Sequence, residues 1–77
     1  MSHTPHELVA EFPDKADRIH LLKISDTHFR KLFDEYHDVN RAVHRAETLV
    51  EPMEDLAEQE LRKRRMALKD QLARLLA

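Results

Sequence analysis

No glycine occurs anywhere in this 77-residue chain. Glycine is the residue that enters left-handed backbone conformations freely and lets a backbone approach a ligand closely. Without it, phosphate-cradling loops, tight primed β-hairpin turns and glycine-capped helix ends are hardly available. P-loop and dinucleotide-binding chemistry are excluded on that ground. Cysteine is also absent, so there is no disulfide, no thiolate metal site and no cysteine nucleophile. What such a chain builds readily is helix joined by short connections.

The apolar periodicity agrees. Thr4, Pro5 and Glu7 form a helix start signal, with Thr4 as N-cap and Pro5 in the first turn. Leu8, Val9 and Phe12 follow, and Pro13 stops this segment because it lacks an N–H and restricts the residue before it. A second short helix is expected over about residues 14–24. Ser25, Asp26 and Thr27 mark the next break, since Ser and Asp cap helices well. A long helix over about 26–50 has the stripe Phe29, Leu32/Phe33, Tyr36, Val39/Asn40, Val43, Ala46 and Val50, in steps of three and four. Glu51, Pro52 and Met53 make the turn, and a last helix runs from about 53 or 54 to 76. Its stripe is Ala57, Leu61, Arg64, Leu68, Leu72 and Leu75.

The expected fold is all-α: an antiparallel two-helix hairpin, coiled-coil-like, preceded by a short helical N-terminal segment (residues 1–24) and turning near 51–53. If residues 25–77 fold back about Pro52, facing residues have numbers summing to about 104. Phe29 then meets Leu75, Leu32 meets Leu72, Tyr36 meets Leu68 and Val43 meets Leu61, with Phe33 completing the core. The polar interruptions also coincide, Asn40 landing on Arg64. A buried polar layer of this kind fixes register at some cost in stability. Glu35 falls beside Lys69, an exposed pair worth only ~0–1 kcal/mol.

The segments LFDEYHDVNRAVHRAE (32–47) and LRKRRMALKDQLARLL (61–76), with Phe12-Pro13, Ile19 and Leu22-Lys23 upstream, resemble the YdcH-like family of small bacterial proteins built around a domain of unknown function. Glu51-Pro52 is similar to a common form of that family's turn, and Met53 departs from the small polar cap more usual there. The resemblance implies an all-helical cytosolic protein. It implies no activity and supplies no catalytic residues.

Charge is polarised along the chain. Residues 1–60 hold 7 Lys/Arg against 14 Asp/Glu, and residues 61–77 hold 6 against 1. The sharpest local feature is Arg62-Lys63-Arg64-Arg65, with Lys69 beyond. Basic clusters bind phosphate backbones by releasing counterions, yet four consecutive helical residues spread around most of the circumference. The competing reading is that these cations answer the acidic first half. Of the six histidines, His37 and His44 lie two turns apart, about 10 Å along a helix and too far for one ion. Metal binding would need Asp34 with His37, His44 with Glu47, or ligands shared between chains; solvated or flanking histidines, with no metal site, are the expectation. His3 and His6 are spaced only for weak chelation. Histidines that instead tune assembly near neutral pH are a further reading.

No nucleophile, acid–base pair or substrate-enclosing element stands out, so an enzyme is not expected and no cofactor is implied. The N-terminus lacks the basic start and apolar run of a signal peptide, and no apolar run is long enough to span a membrane, so a cytoplasmic location is expected. Leu8, Val9, Phe12, Ile19, Leu22 and Ile24 must cover the hairpin or join a partner chain; the acidic residues among them argue against an anionic membrane. The expected function is a non-enzymatic, self-associating interaction module or adaptor: a homo-oligomer with an unidentified protein partner. The alternative is a small nucleic-acid-associated protein that uses Arg62, Lys63, Arg65 and Lys69.

Overall fold

The computed structural model describes residues 6–48 and 53–77. Among them there is helix and no strand. The Thr4-Pro5 start signal, Val50 and the Glu51-Pro52 part of the turn lie outside the described residues; Met53 is exposed and non-helical. α1 (Leu8–Glu11) ends where Phe12 leaves helical geometry ahead of Pro13, its N–H still reaching Leu8 O at 3.0 Å. Pro13 opens a 3-10 turn, Pro13–Lys15, that leads into α2 (Ala16–Ser25). α2 stops at Asp26, whose extended backbone breaks the helix and whose carboxylate accepts the N–H of Phe29 at 3.1 Å. That bond satisfies one of the orphan donors at the start of α3 (Thr27–Glu47). α4 (Asp55–Leu76) begins at an extended Glu54 with Asp55 and Glu58 in its first turn, where carboxylates suit the helix dipole.

One core cluster draws on all four helices. Leu8 of α1, Ile19 of α2, Phe29, Leu32, Tyr36, Val39 and Val43 of α3, and Leu68, Leu72 and Leu76 of α4 are buried together. Burying each such side chain stabilises by about 1.5–3 kcal/mol relative to leaving it in water. α3 packs most extensively against α4 and next against α2. Phe12, Leu22, Phe33, Leu61 and Leu75 close the margins of this cluster, partly buried.

The rotational setting of α4 differs from the sequence expectation. Ala57 and Arg64, expected at the seam, are exposed; Arg65 and Leu75 are half-buried, and Leu76 is buried. At about 100° per residue, the observed inner face is turned roughly 40° from the expected one. The cause is a third element. Lys69 meets Glu11 at 3.4 Å and lies 6.0 Å over the Phe12 ring, so residues 6–12 sit on the flank of α4 that carries Arg65 and Lys69. Covering that flank draws the buried face toward it and leaves the opposite flank, Met53, Ala57, Glu60, Arg64 and Ala67, in water.

Candidate functional site

The basic stretch of α4 is the best-defined chemical feature, and its side chains fan apart as the helical repeat requires. Arg62 is held between Glu47 of α3 (3.1 Å) and Glu58 of α4 (3.2 Å). Among the described residues, Lys63 reaches only Glu60, 3.7 Å away on its own exposed helix face. Arg64 pairs with Glu35 and is 58% exposed. Arg65 turns inward and donates to the Asn40 side-chain oxygen at 3.0 Å. Lys69 pairs with Glu11.

Two expected pairings therefore change. The polar layer is Asn40 with Arg65, not with Arg64. Glu35 takes Arg64, not Lys69. Both changes follow from the same turn of α4, which rotates position 65 toward α3 and swings 64 to the edge. Among the expected core residues, Phe29, Tyr36, Val43, Leu68 and Leu72 are fully or nearly fully buried, Leu32 is 9% exposed, and Leu61 and Leu75 are partly buried. Phe33 lies at the border with α2 instead of the centre. Lys23 of α2 sits 4.4 Å over its ring, and the His37 ring centroid is 4.4 Å from that of Phe33.

Around Arg65 and Lys69 the N-terminal segment completes a polar cluster. The Tyr36 hydroxyl donates to the backbone carbonyl of His6 at 2.6 Å, across 30 residues of sequence. His6 holds a left-handed backbone (φ 63°), a conformation that costs a non-glycine residue some strain. Its Nδ1 donates to Glu11 at 2.8 Å. His6, Glu11, Tyr36, Arg62, Arg65 and Lys69 line a cavity of about 410 Å³. The hydrogen bond from His6, aided by the Lys69 charge and opposed by burial, holds the Glu11 carboxyl below its ordinary range. Burial, reinforced by the nearby Glu11 carboxylate, pushes the Tyr36 phenol up to about 12.

A second cluster surrounds His37. Its Nε2 is buried and, among the described residues, has no hydrogen-bond partner. Burial lowers its affinity for a proton; Arg41 and Lys23 add to that, and Glu7 and Asp34 work against it. Among the described residues no group of three or more His, Asp or Glu side chains is placed to hold a metal ion. The hydroxyl of Ser25 donates to the Leu21 carbonyl at 2.8 Å. No described helix is long and apolar enough to cross a membrane.

The sequence reading did not anticipate the roles of His6, Glu11 and Arg65. One signal was present. Tyr36 is the chain's single tyrosine and stands in a stripe of Phe, Leu and Val, and a buried tyrosine hydroxyl needs a partner. Which backbone carbonyl supplies it is a tertiary fact.

The family model described as "Protein of unknown function (DUF465)" matches residues 29–76, which take in nearly all of α3 and the whole of α4. No curated protein and no solved structure matches the chain.

Proposed function

The chain belongs to this family of proteins of unknown function, and from that premise we propose that it is a non-enzymatic helical interaction module that self-associates. In this reading α3 and α4 form an antiparallel hairpin with coiled-coil-like packing. The links Glu35 to Arg64, Asn40 to Arg65 and Glu47 to Arg62 support it, because they run along both helices. The observation that carries self-association is apolar surface left in water. Ile24 is 85% exposed, Leu56 74%, Met66 66% and Leu21 61%. Val9 and Met53 are exposed as well, and covering such side chains against another surface removes apolar area from water, which favours association. The module is a bacterial, cytoplasmic one in the same reading.

A nucleic-acid ligand for Arg62, Lys63, Arg65 and Lys69 is the weaker reading. Arg62, Arg65 and Lys69 already have partners within the chain, and the carboxylates beside them reduce the field a phosphate backbone would meet. Light scattering on a sizing column, with absorbance followed at 260 nm, separates the two. The proposal expects a multiple of the 9.1 kDa chain mass without excess absorbance. A monomer at every concentration overturns self-association. A salt-removable excess at 260 nm, lost when Arg62, Lys63 and Arg65 are neutralised, puts nucleic acid first.

A further inference from the structure

The turn of α4 toward the N-terminal segment has a consequence on its other side. Met53, Ala57, Glu60, Arg64 and Ala67 are exposed, and Gln71 below them is half-buried. These positions recur in steps of four and three, so they form one stripe along the helix. Its upper half borders an open concavity of about 670 Å³ that Met53, Ala57 and Leu61 line with apolar surface and Glu60, Lys63 and Arg64 edge with charge. Leu56, one of the most exposed large apolar side chains described, precedes Ala57 in the chain and lies on the neighbouring helix face.

We propose that this stripe is the contact surface for a second copy of the same chain, with the two α4 helices antiparallel about a twofold axis at residue 62. The proposal rests on the self-association reading and names the surface and register for it.

Charge complementarity selects this occupant and this direction. Residues 53–60 hold four acidic groups (Glu54, Asp55, Glu58 and Glu60) and no basic one, and residues 64–71, which they face in this register, hold Arg64, Arg65 and Lys69 against Asp70, with the exposed Arg64 on the stripe itself. Antiparallel copies set each acidic half against a basic half and oppose the helix dipoles; parallel copies would stack like charge on like. The spacing of the stripe also reads the same in both directions from residue 62. Met53 therefore faces the partner's Gln71, Ala57 faces the partner's Ala67, and Glu60 faces the partner's Arg64, each contact occurring twice as a twofold interface demands. The two alanine layers let the helices approach closely. Glu60 and Lys63 are both about 75% exposed and, among the described residues, joined only to each other at 3.7 Å. Arg64 gives one nitrogen to Glu35 and has further donors on its fork. The ionic groups are thus available to a second copy without breaking the contacts within one chain.

The twofold arrangement yields a test that a merely structural role does not reproduce. Glu60→Arg sets Arg against Arg64 at both ends of the interface, and Arg64→Glu sets Glu against Glu60. Each variant alone should self-associate roughly tenfold more weakly, with helical circular dichroism retained. Mixed together they should recover an oligomer of wild-type mass, because the mixed pair has both contacts complementary. A second measurement does not depend on Arg64→Glu folding well. The chain has no cysteine, so an Ala57→Cys chain and an Ala67→Cys chain should form a disulfide when mixed under mild oxidation and neither should do so efficiently alone. If the wild type is oligomeric, but charge reversal leaves its mass unchanged and no mixed disulfide forms, this surface is wrong and self-association stands elsewhere, with Leu21 and Ile24 of α2 as the next site to test. An Ala57→Cys chain that cross-links efficiently to itself overturns the register. A wild type that stays monomeric overturns both the surface and the reading beneath it.

Discussion

A tyrosine at a core position of a helix brings a hydroxyl that must be satisfied, and at Tyr36 the partner is the His6 carbonyl. Tyr36→Phe keeps the ring packing and removes only that bond. The expected loss is about 1 kcal/mol in urea unfolding, because an ordinary hydrogen bond contributes ~0.5–1.5 kcal/mol net. Being the only tyrosine, its ionisation can be followed directly by ultraviolet absorbance and should have a midpoint near 12; a midpoint near 10 would show that the hydroxyl is solvated. The two neighbouring arginines give a second comparison. Arg65→Met leaves the half-buried stem in place but strips Asn40, 1% exposed, of a donor. A buried polar group that loses a partner costs ~1–3 kcal/mol. Arg64→Met breaks a pair with Glu35 at the surface, where ~0–1 kcal/mol is at stake. Denaturant midpoints should therefore fall further for position 65 than for 64. The reverse order would restore the pairing of Asn40 with Arg64 that the alternation of the sequence suggests.

The elements separate what the chain states locally from what it settles only by packing. The break before α3 depends on one residue: Asp26 is extended and its carboxylate accepts the Phe29 N–H. Asp26→Ala should cost about 1 kcal/mol, and Asp26→Asn, which can still accept that bond, much less; equal losses in thermal unfolding would show that the cap is not what holds this end. Breaks of this kind are legible because they come from the backbone chemistry of single residues, as at Pro13, and the long apolar stripe of α3 is legible because its period is that of a helix. The setting of α4 was not. Leu61, Leu68 and Leu72 fit an inner face centred on either side, and residues 64 and 65 are both arginine, so periodicity could not choose between them. The choice falls to Leu8, Glu11 and Phe12, more than fifty residues away in sequence, whose docking on the 65/69 flank completes the core. The sequence shows that these residues need cover and is silent on which flank supplies it. The candidate site shared that fate: its cations were visible, and their partners were not.

For the whole molecule, a short N-terminal segment closes a core that α3 and α4 share, so stability should respond sharply to groups that are small parts of the chain. Leu8 is fully buried, and Leu8→Ala should cost about 2–4 kcal/mol, a large part of the several kcal/mol expected for a chain of this length. The pH dependence should be a dome with limbs set by different elements. On the acid side the two groups concerned, His37 and Glu11, both have depressed proton affinity in the folded state. A group of that kind supports the fold above its unfolded-state pKa and loses that support as pH falls, because the unfolded chain then binds the extra proton more readily. The His37 contribution should fade below its ordinary value of 6.5 and the Glu11 contribution below 4.5. On the alkaline side Tyr36 has the opposite sign. Its folded-state pKa is raised, so its support is complete below 10 and disappears as pH climbs toward about 12. Urea midpoints measured across this range should show both limbs. His37→Gln should flatten the upper part of the acid limb and leave the alkaline one, and Tyr36→Phe should do the reverse. The His37 ring meets the Tyr36 ring edge-on, centroids 5.5 Å apart, so if His37→Gln moved both limbs together, that contact would couple the Phe33–His37 border to the Tyr36–His6 hydrogen bond as one cooperative unit.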